Sequence, residues 1–99
     1  MVVVLFRSRL RDDAGEEYET TAKRMLALAS AMPGFVSFKT FRADDGERIS
    51  VIEFESDAHV RAWREHPEHR DAQQRGRASF YEAYRIQVCE PIRDYGFRR

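Results

Sequence analysis

Two histidines and the chain's one tryptophan fall within seven residues, Trp63-Arg64-Glu65-His66-Pro67-Glu68-His69. Tryptophan is a large apolar body with a single N–H donor, and histidine changes charge near neutral pH. Pro67 disfavours helical geometry at His66 and suits the first position of a new helix, so the segment bends between the two imidazoles. Such a bend turns several side chains toward one point and can wall a pocket for a small aromatic or hydrophobic ligand. There the Trp63 N–H would orient a substrate oxygen. A neutral imidazole at His69, in the first turn of the following helix, would take a proton from a phenolic or enolic group.

Each of these residues also has a plainer use. A tryptophan on a helix face is most often core, and His66 at the break fits exposure or a helix cap. His59, His66 and His69 make no metal motif, because spacings of seven and three residues across a proline break match no familiar zinc arrangement. No Gly-rich phosphate loop, dinucleotide fingerprint or nucleophile elbow occurs, so no metal, flavin or nicotinamide cofactor is expected. Arg7, Arg9, Arg85 and Tyr84 lie in alternating segments that send some side chains inward. An inward arginine would bind an anionic oxygen, whereas one at a strand end would be solvated or paired.

These residues need elements to position them, and 99 residues allow one domain, spanning 1–99. Lys plus Arg number 17 and Asp plus Glu number 17, so there is no basic excess to drive nucleic-acid binding by counterion release. Cys89 is the single cysteine and cannot form an intrachain disulfide, which fits a reducing compartment; its alternating surroundings read as those of a buried structural thiol. Met1 to Phe6 is apolar but too short for a signal peptide or a membrane span, and lacks the preceding basic residues. A cytoplasmic protein with no membrane association is the expectation.

Residues 2–10 read as a strand. Asp13 and Glu16 have capping-box spacing and are expected to open a helix, along which Tyr18, Ala22, Met25, Ala29 and Met32 recur at helical spacing until Pro33-Gly34. Phe35–Ala43 and Arg48–Glu55 form a hairpin around Asp44-Asp45-Gly46-Glu47. Ser56 is a natural N-cap for a helix from Asp57 to about Glu65. From Pro67 a further helix is predicted to about Phe80, with Ala72, Gly76 and Phe80 on one face, then a strand from Tyr81 to roughly Ile92. Gly96–Arg99 reads as a loose tail.

The order β-α-β-β-α-β is the split βαβ arrangement of ferredoxin-like α+β domains, with a four-stranded antiparallel sheet. Its strands are apolar on both faces. Val2, Val4 and Phe6 oppose Val3 and Leu5; Phe35 and Phe41 oppose Val36 and Phe38; Ile49 and Val51 oppose Ile52 and Phe54. One helical layer covers one face only, so the other calls for a partner, most simply a second copy of the chain.

In this order and spacing, the apolar first strand, Pro33-Gly34-Phe35, Glu53-Phe54, Trp63 to His69, and Gly76-Arg77-Ala78-Ser79-Phe80-Tyr81 resemble the antibiotic biosynthesis monooxygenase (ABM) family. The resemblance covers nearly the whole chain. It implies a dimeric α/β barrel, in which two ferredoxin-like subunits join through their sheets and bind ligands between helices and sheet. Activity varies within the family: some members oxidise anthrones or quinols with oxygen alone, some cleave haem, others isomerise or bind. In the haem-degrading branch Trp63 matches the tryptophan, but Phe6, Arg7 and Ser8 offer no asparagine on strand one, and Gln73 stands where the axial histidine would be. In the anthrone-oxidising branch the tryptophan works with nearby polar side chains, for which His59, His69 or Arg77 could stand in.

The resulting expectation is a cofactor-independent monooxygenase acting on a quinol or anthrone. Trp63 and His69 would be catalytic, and Trp63, His59, His66, Arg77 and Tyr84 would hold the substrate. The alternative is a non-catalytic binding or accessory protein on the same scaffold.

Overall fold

β-Branched and aromatic residues at the N-terminus form β1 (Val2–Leu10), and the computed structural model describes all residues 1–99. Helix α1 (Gly15–Ala31) follows, then the hairpin β2 (Phe35–Arg42) and β3 (Arg48–Phe54), helices α2 (Asp57–Glu65) and α3 (Pro67–Arg75), a π-helical turn at Gly76–Phe80, and β4 (Tyr81–Cys89). The sheet order is β2-β3-β1-β4 with every pairing antiparallel, the ferredoxin-like arrangement that the element order predicts.

Register decides which residues meet the helices. Val2 pairs with Phe54 and Val4 with Ile52, and these four join Leu28, Ala29, Val60 and Trp63 in one core cluster. Phe54 and Ala29 are fully enclosed. The opposite parity, Val3, Leu5, Ile49 and Val51, faces away from all three helices and stays half-exposed. Only 12 of 99 residues are buried, which is what one covered and one open sheet face gives.

Four local expectations need correction. Helix α1 does not open at an Asp13 capping box: Asp13 pairs with Arg11 at 3.0 Å, and the helix begins past Ala14, which makes no side-chain cap, at a Gly15 whose φ is +62°. Phe35 does not share a face with Phe41. A register shift between Phe35 and Ser37 breaks strict alternation, so Phe35 and Phe38 both pack on the core, Phe35 edge-on to Phe54 at 5.9 Å. The helix from Pro67 stays α-helical only to Arg75 and widens into the π turn, where the Tyr81 ring lies over Gly76; a Cβ there would sit 2.7 Å from Tyr81 Cε2. Finally, β4 stops at Cys89 rather than Ile92, since Glu90 is followed by Pro91, which has no N–H for a ladder; residues 90–99 hold no regular structure, and Ile92 is 92% exposed.

Candidate functional site: an aromatic cavity between helices and sheet

Helix α2 starts where sequence capping rules place it. Ser56 Oγ accepts from the His59 backbone N–H at 3.3 Å, and the amphipathic turn that follows drives Val60 and Trp63 inward. Pro67 then occupies the first turn of α3 and redirects the chain, so that His69 folds back on Trp63 with ring centroids 4.5 Å apart. Trp63 is 6% exposed, stacked on Phe54 at 5.5 Å and edge-on to Phe38 at 6.4 Å. Its Nε1 and the Nδ1 of His69 are both buried without a hydrogen-bond partner. Buried polar atoms are normally satisfied, so an orphan on each of two contacting rings marks a place that a ligand's polar atoms can complete.

Both rings border a cavity of about 480 Å³ between α1, α3 and the sheet, within the usual size range for small-molecule sites. Aliphatic and aromatic side chains line most of it. At the end away from Trp63, Phe6, Tyr18, Tyr81 and Tyr84 form an aromatic box, with Phe6 5.5 Å from Tyr81 and 5.6 Å from Tyr84, and Tyr18 6.0 Å from Tyr81. Arg48 lies 5.8 Å from the Tyr18 ring centroid, and its Nε is a third buried polar atom with no partner. Arg48 is four residues along β3 from Ile52, which shares the core cluster with Trp63, a distance of about 13 Å at ~3.3 Å per residue. That is roughly the length of two to three fused aromatic rings with substituents.

Burial sets the protonation of the site. It lowers the His69 pKa to about 4, helped by the positive charge of Arg64 and opposed by the Arg64 main chain, so the imidazole is neutral at physiological pH. Burial also raises the Tyr81 pKa, with Tyr18 and Tyr84 adding to the rise and Arg48 working against it, so its hydroxyl stays a neutral donor.

The structure brings Trp63, His69 and Tyr84 to one cavity and leaves the other two histidines out of it. His59 belongs to the start of α2: its Nδ1 is 2.7 Å from Ser56 Oγ, and its ring packs on Gly34, whose φ is +80°. His66 caps α3, its Nδ1 accepting from the Glu68 N–H at 3.2 Å. Both are occupied by the chain breaks beside them, which is why neither turns to the cavity. Arg77 reaches it indirectly, donating to the Tyr84 hydroxyl at 3.1 Å.

No three His, Cys, Asp or Glu side chains converge as a metal site would require. Among the strand arginines, Arg7 and Arg9 are held by Glu47 and Asp45 at 3.0 and 2.7 Å, and Arg85 lies opposite Arg7 on the open face. Cys89, next to Val3 on that same face, is half-buried rather than enclosed. The inward arginine is Arg48, a residue the sequence reading passed over. Its signal was parity: Arg48 is in step with Ile52 and Phe54, the core-facing residues of β3.

Residues 1–75 match the family described as antibiotic biosynthesis monooxygenase. The chain belongs to that family. It is 36% identical over 96 residues to an uncharacterized protein of Bacillus subtilis, YqjZ, covering 96% of this chain and 82% of that one. Two solved structures share the ABM-like fold at lower identity. Rv0793 from Mycobacterium tuberculosis superposes with a TM-score of 0.83 at 19% identity, over 96% of this chain and 98% of its own. SnoaB, a cofactor-independent oxygenase from Streptomyces nogalater, gives 0.78 at 17%, over 94% of each chain. Both likenesses cover more of the chain than the family match does. No helix is long and apolar enough to cross a membrane.

Proposed function

We propose that this ABM-family chain is an oxygenase that oxidises an electron-rich aromatic, a quinol or anthrone, with dioxygen as co-reactant and no metal or flavin, in the cytoplasm. The observation that carries this reading is the pair of unpartnered polar atoms on Trp63 and His69, set edge to face at the wall of an aromatic cavity. In the anthrone case the ring CH₂ loses a proton to neutral His69, and the carbanion passes an electron to O₂. Recombination gives a hydroperoxide, which loses water to leave the ketone, so CH₂ plus O₂ becomes C=O plus H₂O. The Trp63 N–H holds the substrate oxygen on which negative charge grows. An imidazole with a pKa near 4 is a weak base, but an oxyanion forming beside it favours the imidazolium, so proton transfer is promoted only with substrate bound. Tyr84, tethered by Arg77, closes the far end.

The same reading includes a homodimer. The open face carries Val3, Leu5, Ile49 and Val51, an apolar surface that a second copy would cover by a two-fold, self-complementary contact.

Oxygen uptake with an anthrone or hydroquinone tests the chemistry. Turnover is expected to survive chelators and to need no added flavin or haem. Trp63→Phe should lower it by about tenfold through loss of the N–H. SnoaB, with the same fold, is described as a cofactor-independent oxygenase, which supports this assignment. Binding without any rate above spontaneous oxidation would make the chain a binding protein on the same scaffold.

A further inference from the structure

We propose that the cavity selects an aromatic carboxylic acid, with its carboxylate on the Arg48 guanidinium and an oxygen acceptor at its other end on the Trp63 N–H. This rests on the aromatic-ligand reading above and adds the sign and position of the ligand's charge.

The argument begins with which charges reach the cavity. Lys23, Lys39, Arg48 and Arg64 line it, and no aspartate or glutamate does. The chain as a whole is neutral, so this one-signed wall is not inherited from composition. Six arginines find carboxylates, among them Arg7 with Glu47, Arg9 with Asp45, Arg24 with Glu68 and Arg75 with Asp71, and of those that do not, only Arg48 has a buried nitrogen left without a partner. Arg48 makes no such pair. Its neighbour Glu47 points to the other face of the sheet and is used by Arg7 there. A guanidinium stays charged at any working pH, and leaving its Nε–H buried and unpaired is costly.

Geometry then narrows the anion. The guanidinium carbon of Arg48 lies 5.8 Å from the Tyr18 ring centroid, within cation–π range, and its Nε–H has no acceptor. The edge formed by Nε and one Nη matches the two oxygens of a single carboxylate. Ser8 is opposite Arg48 on β1 and also lines the cavity, so the acid would sit on the sheet floor, framed by Tyr81 and Tyr84. Ring carbons would fill the apolar middle. At the Trp63 end the indole offers a donor and His69 is uncharged, so a neutral carbonyl or hydroxyl oxygen fits there.

Calorimetric titration with 2-naphthoate and its uncharged isostere 2-naphthamide tests this. The acid should bind at least about tenfold more tightly than the amide. That preference should persist in about 0.5 M NaCl, because a buried pair is screened far less than one at the exposed mouth. In Arg48→Met the preference should fall to within about twofold, with the amide's affinity changed by less than about threefold. Equal binding of acid and amide by the unaltered protein would overturn the proposal and leave the aromatic reading standing. A preference lost in salt and retained in Arg48→Met would assign it to Lys23, Lys39 and Arg64 and likewise overturn it. Binding of neither compound at millimolar concentration would remove the aromatic reading as well. Should Arg48→Met fail to fold, the acid-to-amide ratio and its salt response in the unaltered protein still decide.

Discussion

Replacing His69 by Gln should make the protein more resistant to acid than it is with its histidine. The imidazole titrates near 6.5 when the chain is unfolded and near 4 in the fold, because burial and Arg64 disfavour the charged form. Above about pH 6.5 both states hold it neutral, and it contributes nothing to pH dependence. As pH falls from 6.5 towards 4 the unfolded chain takes up the proton and the folded one does not, so stability drops. Below about 4 both are protonated and the loss levels off. Linkage gives a loss of about 2 kcal/mol at pH 5 and about 3 kcal/mol at the limit, as upper bounds for a side chain that is not wholly buried. Urea unfolding at pH 7.5 and pH 5, at fixed protein concentration, reads the difference. Carboxylates elsewhere cancel when the two proteins are compared, leaving a midpoint drop larger by roughly 1 M urea in the histidine-bearing protein, for slopes of about 1–3 kcal/mol/M. Parallel losses in both proteins would refute the reasoning and mean that His69 titrates in the fold much as it does unfolded.

Gly34→Ala should destabilise the protein by about 3 kcal/mol or more in chemical unfolding, because φ is +80° and a Cβ would collide with the His59 ring that Ser56 holds in place. Ser56→Ala should cost about 1 kcal/mol by the same measurement, since it removes the α2 cap and the hydroxyl that anchors His59. Sedimentation at micromolar concentration should give a species near twice 11.7 kDa, and Val51→Asp, at the centre of the open face, should reduce it to the single-chain mass or unfold it. A single-chain species in the unaltered protein would remove the dimer.

Much of the frame was legible before any coordinates, because the signals were local. Ser56 as a cap, Pro67 as the first residue of α3, and the alternation of β1 and β3 depend on a few consecutive residues and act the same wherever the segment lies. They are enough to give the element order and a sheet apolar on both sides. The same local physics brought Trp63 and His69 within reach of one another, since a proline break leaves few directions for the helix after it. Where local rules competed with packing, packing prevailed. The shift at Phe35 lets two phenylalanines reach one core, and the widened turn at Gly76 makes room for the Tyr81 ring.

Tertiary structure alone decided which polar residues were left over for a ligand. Sequence placed three histidines near Trp63 and marked His66 as a candidate cap; in the fold His59 and His66 are bound to the chain breaks beside them, and only His69 keeps an unpartnered nitrogen in the cavity. Several strand arginines looked alike in sequence. Cross-strand register brought Glu47 to Arg7 and Asp45 to Arg9, and left Arg48 opposite Ser8 with no acid beside it. A residue's type and parity are local and can be read from the chain. Whether its charge is matched depends on which distant residue the sheet sets against it, and only the folded register determines that.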